Sequence, residues 1–166
     1  ARFSFRGVIW YQGESNRSQA WRYRELFPAL IRDWRARFSN EDMPFYFVQL
    51  SSLNRPSWPW FRDSQLRLMK EISNTGMAVS SDHGDSLDVH PRHKREVGER
   101  LAFSVLNRTY GHKVTPNGPR YQSMKIDGDA IVLHFADAEG MRAAQGTRLI
   151  DFEVAGADGI YHPAEA

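Results

Sequence analysis

The stretch Gly7-Val8-Ile9-Trp10-Tyr11-Gln12-Gly13-Glu14-Ser15-Asn16 decides how this chain is read. Val8 to Tyr11 is an apolar run too short for a helix, rich in strand formers and bounded by Gly7 and Gly13, so it predicts a buried β-strand. Gln12, Glu14, Ser15 and Asn16 follow just past its carboxyl end, which in open parallel α/β sheets is where ligands bind. The same loop also fits an ordinary strand-to-helix connection, with Ser15 or Asn16 as a helix cap. A second stretch, Ser80-Ser81-Asp82-His83-Gly84-Asp85-Ser86-Leu87-Asp88-Val89-His90-Pro91, favours the ligand site.

Outward from the first strand, the pattern repeats. Tyr23, Leu26, Phe27, Leu30, Ile31, Trp34 and Phe38 recur at three- and four-residue spacing and predict a helix over 18–38, with a kink or restart at Pro28. Phe45 to Leu50 is a second apolar run, of the kind found in strands covered on both faces. The loop 51–60 carries Trp58 and Trp60, which either wall a sugar pocket or cover the core. A helix over 61–73 follows, closed by Asn74-Thr75-Gly76 as a left-handed cap, then a strand over 77–80. Pro91 then opens a helix that runs to about Tyr110. Three strand-then-helix units in a row predict parallel strands with right-handed crossovers.

After Gly111 the character changes. Residues 114–119 read as a linker, and short strands follow at 123–126, 130–135, 149–154 and 160–161, with Asp127-Gly128-Asp129 and Gly156-Ala157-Asp158-Gly159 as turns. The expected organisation is therefore two parts. Residues 1–113 form the carboxyl-terminal portion of a three-layer α/β/α domain, and residues 114–166 form a partial antiparallel, sandwich-like β module. Both ends of the chain read as cut.

Composition narrows the class. In 166 residues, 41% are apolar and 13% aromatic, which suits a globular core, and no apolar run is long enough to span a membrane. There is no cysteine, which excludes disulfides, a thiol nucleophile and thiolate metal sites while leaving the compartment open, periplasmic or extracellular included. The net charge of +2 is small and the arginines alternate with acids and aromatics. Trp21-Arg22-Tyr23-Arg24 thus reads as an arginine face over an aromatic core face, not as a nucleic-acid surface.

The chemistry concentrates at the second stretch. A histidine held by a carboxylate serves as general base for a serine hydroxyl, and His90 has Asp88 as the nearest candidate, with Asp85 and Asp82 as alternatives. The bland reading makes His90 a helix cap. Asp82, His83, Asp85, Asp88, His90 and His93 also invite a metal-dependent hydrolase, although no His-x-x-x-His spacing supports one. A carbohydrate-binding module without catalysis, built on the aromatic loop and the β-rich tail, is the other alternative.

These blocks, together with Arg62-Asp63-Ser64-Gln65, Lys94, Val97-Gly98 and Arg100-Leu101, resemble the sialate O-acetylesterase family of the SGNH (GDSL-like) hydrolases. The resemblance covers about residues 6 to 110 and extends loosely into the tail. It implies a flavodoxin-like parallel sheet and a serine esterase that removes acetyl groups from sugar hydroxyls, sialic acids or similar sugars being the substrates. It implies His90 as base and Asp88 as its orienting acid, Asp85 staying open because such enzymes often place the acid three residues before the histidine, where Leu87 stands. It implies that Gln12, Gly13 and Glu14 form the oxyanion and substrate-binding loop, with Gln12 as side-chain donor. No metal or organic cofactor is implied, and no nucleic-acid or membrane partner. Gly84-Asp85-Ser86-Leu87 spells the motif that names the superfamily but stands four residues before the base, so Ser86 is not the expected nucleophile. The serine is expected from a segment outside this chain, present as a preceding stretch or as a separate chain.

Overall fold

The computed structural model describes residues 3–143, 146, 148–150 and 152–166. The chain divides into two compact units, Ala1–Asn117 and Gly118–Ala166.

In the first unit, β1 (Val8–Trp10), β2 (Phe45–Val48) and β3 (Thr75–Ala78) form a parallel sheet in the order β1-β2-β3. Between them run α1 (Ala20–Arg37) and α2 (Trp58–Glu71), and α3 (Lys94–Arg108) follows β3. Alternation along β2 sorts the two layers. Phe45 and Phe47 point into a core with Tyr23, Phe27 and Ile31 of α1 and Trp58, Phe61 and Leu68 of α2. Tyr46 and Val48 point the other way, against Val97 and Leu101 of α3. All four residues of β2 and β3 are buried, as strands sandwiched between helices must be. Each fully buried Phe or Leu contributes roughly 1.5–3 kcal/mol through removal from water. The mixed α/β class and the parallel three-layer arrangement expected from the sequence are what the chain adopts.

Several boundaries differ from the expectation. Helix α1 runs unbroken through Pro28. Proline deletes one backbone donor, but Phe27 and Ile31, buried on either side of it, anchor both halves to the same core and outweigh the lost bond. Strand β3 begins at Thr75, two residues early, because Asn74 alone takes the left-handed turn (φ 54°) and the backbone extends directly after it. Pro91 does not open α3. It is buried in the loop, and the helix starts at Lys94. Helix α2 starts at Trp58, so Trp58 belongs to the core stripe whereas Trp60 is 73% exposed.

The second unit holds two antiparallel pairs, β4 (Arg120–Asp127) with β5 (Ala130–Ala136) and β6 (Phe152–Ala155) with β7 (Tyr161–Ala164). Gly128 and Gly159 turn them at positive φ. Of the strand predicted over 149–154, Asp151 lies outside the described residues.

Candidate active site

The carboxyl ends of three parallel strands open on one edge of the sheet, and three loops leave from there. The loop after β1 carries Gln12, Gly13 and Glu14; the loop after β2 spans 49–57; the loop after β3 carries Asp82 to His93.

In the first loop, Gly13 has φ 151° and packs so closely on α2 that a Cβ there would lie 2.8 Å from the Phe61 ring. No side chain is compatible with that position, and the chain turns here into a short 3₁₀ segment, Glu14–Gln19. Gln12 is fixed at both ends of its residue. Its Nε2 donates to Asn16 Oδ1 at 2.7 Å, and its carbonyl accepts from Tyr23 Oη at 3.4 Å. Burial pushes the Tyr23 hydroxyl up to about 12, so it remains a donor at any working pH. One N–H of the Gln12 amide lies outside that bond to Asn16.

The third loop brings His90 onto Asp88. Asp88 Oδ1 accepts the His90 backbone N–H at 2.8 Å and lies 3.2 Å from His90 Nδ1. This is an Asx turn, and it solves the problem of two residues only two apart in sequence meeting side chain to side chain. The backbone N–H of His90, then the imidazole itself, hold the Asp88 carboxyl below the usual carboxylate range. A carboxylate on Nδ1 fixes the tautomer with a proton there and leaves Nε2 as the acceptor. The imidazole side chain is 85% exposed, and among the described residues its hydrogen-bond partner is Asp88 at Nδ1.

The other carboxylates of this segment are engaged elsewhere. Asp85 Oδ1 caps the turn by accepting from the Leu87 and Asp88 backbone N–H groups. Asp82 forms a bidentate pair with Arg100. His93 Nδ1 lies 3.7 Å from Glu96. Among the described residues no three His, Asp or Glu side chains of the Asp82–His93 segment converge as metal ligands.

His90 and Gln12 stand at the same end of the sheet with β2 between them. Two strand spacings put the tips of β1 and β3 about 10 Å apart. A contact spans the gap: Lys94, at the start of α3, holds its Nζ 4.6 Å from the centroid of the Tyr11 ring and 3.5 Å from its hydroxyl. Tyr11 is the residue before Gln12, and burial together with the Glu14 charge raises its pKa. A cavity of about 640 Å³, lined among others by Arg6, Asn40, Asn74 and Thr109, opens at the opposite end of the unit, where no strand tip carries the loops above.

The middle loop supports both. Gln65 of α2, fully buried, accepts the Leu50 N–H at 2.9 Å and donates to the Val48 carbonyl at 3.1 Å, which pins the end of β2. Gly84 is pressed onto the Ser52 backbone, where a Cβ would come within 2.3 Å of the Ser52 nitrogen, and Asn54 N–H donates to Ser86 O. Sequence reading gave Arg100 no role. Its partner lies eighteen residues away in another element, a pairing that no local spacing announces.

Comparisons with known proteins give the family. The family described as "Carbohydrate esterase, sialic acid-specific acetylesterase" matches residues 1–107. The sialate O-acetylesterases of Homo sapiens and Mus musculus are each 34% identical over 146 residues, a match covering 74% of this chain. The chain spans 28% of the human protein and 27% of the mouse one. The crystal structure of a novel carbohydrate acetylesterase from Xanthomonas citri superposes with a TM-score of 0.85 at 36% identity, covering 98% of this chain and 40% of that one. The resemblance read from the three motif blocks is borne out over residues 1–107, and the chain belongs to the sialic acid-specific acetylesterase family of carbohydrate esterases.

Proposed function

We propose that this chain supplies the base and the oxyanion loop of a carbohydrate O-acetylesterase whose nucleophilic serine comes from a segment outside these 166 residues. The observation that carries the reading is the Asp88–His90 pair, with Nδ1 on the carboxylate and the imidazole side chain exposed at the sheet's carboxyl edge.

In the acylation step, the serine Oγ attacks the acetyl carbonyl of an O-acetylated sugar while His90 Nε2 takes its proton. Asp88 stabilises the imidazolium that results. The Gly13 N–H and the remaining N–H of Gln12 donate to the developing oxyanion, and His90 returns the proton to the departing sugar hydroxyl. In deacylation His90 draws a proton from water as it attacks the acetyl-serine, then returns that proton to the serine Oγ as the ester bond breaks and acetate leaves. No metal or organic cofactor takes part in these steps. The substrate in this reading is an acetylated sugar, sialic acid or a similar one, and Glu14 faces its hydroxyls.

The open side of β1 supports a strand-borne nucleophile. Within the described residues β1 has β2 as its sole sheet neighbour, and Ile9, paired with the buried Tyr46, is 62% exposed. The unpaired edge of β1 suits another strand of the same sheet, and a helix accompanying that strand would cover Ile9. The serine-bearing segment, as a preceding stretch or a separate chain, belongs there.

The test is hydrolysis of p-nitrophenyl acetate and of an O-acetylated sialic acid by the complete gene product. His90→Ala should lower kcat by roughly 10²–10⁴, the range for loss of a general base. Undiminished turnover in that variant refutes the assignment.

A further inference from the structure

His90 sits in a nine-residue segment, 84–92, that has no regular secondary structure. Its side-chain partner among the described residues, Asp88, belongs to the same segment, so the pair is internally consistent yet needs something rigid to hold it against the sheet. That hold comes from the neck of the loop. His83, just before the segment, and His93, just after it, stack face to face with ring centroids 5.3 Å apart and an interplanar angle of 27°.

One side chain organises the neck. Arg100 of α3 donates from Nη1 to the Val79 carbonyl at 2.6 Å and to Asp82 Oδ1 at 2.6 Å. From Nη2 it donates to Asp82 Oδ2 at 2.6 Å and reaches His83 Nε2 at 3.3 Å. A guanidinium can only donate, so a bond to His83 requires Nε2 to be the unprotonated nitrogen. Arg100 thus ties the end of β3, the short 3₁₀ segment Ser81–His83 and the ring that begins the neck to the middle of a packed helix. The neighbouring residues Val97 and Leu101 are buried against the sheet, which makes that helix a firm base. A planar fork suits this task, whereas an ammonium offers one point charge.

We propose that Arg100 is a positioning residue of the esterase. It fixes the Asp88–His90 loop through Asp82 and the His83–His93 stack without touching substrate. The inference rests on His90 being the base, as argued above. It differs from a plain stability role in predicting that loss of Arg100 loosens the loop selectively and slows chemistry more than binding. A displacement of a catalytic group by about 1 Å costs on the order of a hundredfold in rate.

The experiment uses the complete gene product with Arg100→Ala and Arg100→Lys. Hydrogen–deuterium exchange should quicken in peptides covering 84–92 in both variants, while β2 and α1 keep the parent's protection. In Arg100→Ala, kcat on an acetylated sugar should fall roughly ten- to a hundredfold with KM within about threefold of the parent. Added methylguanidinium should restore part of that kcat and leave the parent unchanged. Lysine should recover little, because it cannot supply the fork. Parent-like exchange in 84–92 overturns the proposal. So does faster exchange spread evenly over the sheet, with kcat falling only as the folded fraction falls. If the parent hydrolyses no acetyl ester, the esterase reading fails, and the exchange measurement still decides whether Arg100 holds the loop.

Discussion

Gln65 gives the most quantitative test of how the site is supported. It is fully buried and spans two backbone groups at the end of β2, the Leu50 N–H and the Val48 carbonyl. Gln65→Met keeps the volume and the helix propensity but removes both bonds. A buried backbone group left without a partner costs about 1–3 kcal/mol, so two of them amount to about 2–6 kcal/mol, partly offset by the apolar transfer of the thioether. We expect a loss of about 2–4 kcal/mol, read from the denaturant midpoint of the first unit by tryptophan fluorescence, since Trp58 lies in its core. Gln65→Glu sharpens the argument. It keeps an acceptor for Leu50 but sets a carboxylate against the Val48 carbonyl, which favours the protonated form in the folded state. The new carboxyl then has a folded pKa above its unfolded one. Its stability contribution is full below the unfolded value and is lost as pH rises through the folded one. The variant should therefore gain stability on going from pH 8 to pH 5 relative to the parent. A midpoint for Gln65→Met equal to the parent's, or a Gln65→Glu variant that weakens on mild acidification, refutes the bracing role.

Two further outcomes concern the catalytic loop. Gly84→Ala forces a methyl group into the Ser52 backbone and should cost about 1–3 kcal/mol through overpacking while pushing the loop off its support; an unchanged Tm together with unchanged turnover contradicts the contact. Asp88→Asn keeps an oxygen for the His90 backbone N–H but removes the charge facing Nδ1, so kcat should drop on the order of 10²–10⁴ with little change in KM. Because the Asp88 carboxyl is held below its ordinary range, its contribution to loop order is present above the unfolded carboxylate value and disappears as pH falls through the folded one. Exchange in peptides over 84–92 should show that acid dependence in the parent and not in Asp88→Asn.

How much of this was legible from the residues follows from which interactions are local. The apolar run at Phe45 marked a strand buried on both faces; the run at Val8 marked its parallel neighbour, but the full burial expected there is not met, since Ile9 is 62% exposed. The Asp88–His90 contact was readable as a candidate pair, since a turn of two residues closes it, but the choice among Asp82, Asp85 and Asp88 needed the loop's path. Trp58 and Trp60 were undecided only because the helix was started at Phe61. Extending the stripe of Phe61, Gln65 and Leu68 back by three residues lands on Trp58 and leaves Trp60 off it. Pro28 misled because a local penalty was weighed without the packing of Phe27 and Ile31 that overrides it. Arg100 was hidden for the opposite reason. Its partners are gathered by tertiary structure, and no window of sequence contains them.

The bare flank of β1 has a practical corollary for production and folding. An extended segment with unpaired peptide groups and an isoleucine facing water is a template for intermolecular strand addition. The polypeptide should therefore self-associate on purification, and Ile9→Lys should reduce that tendency.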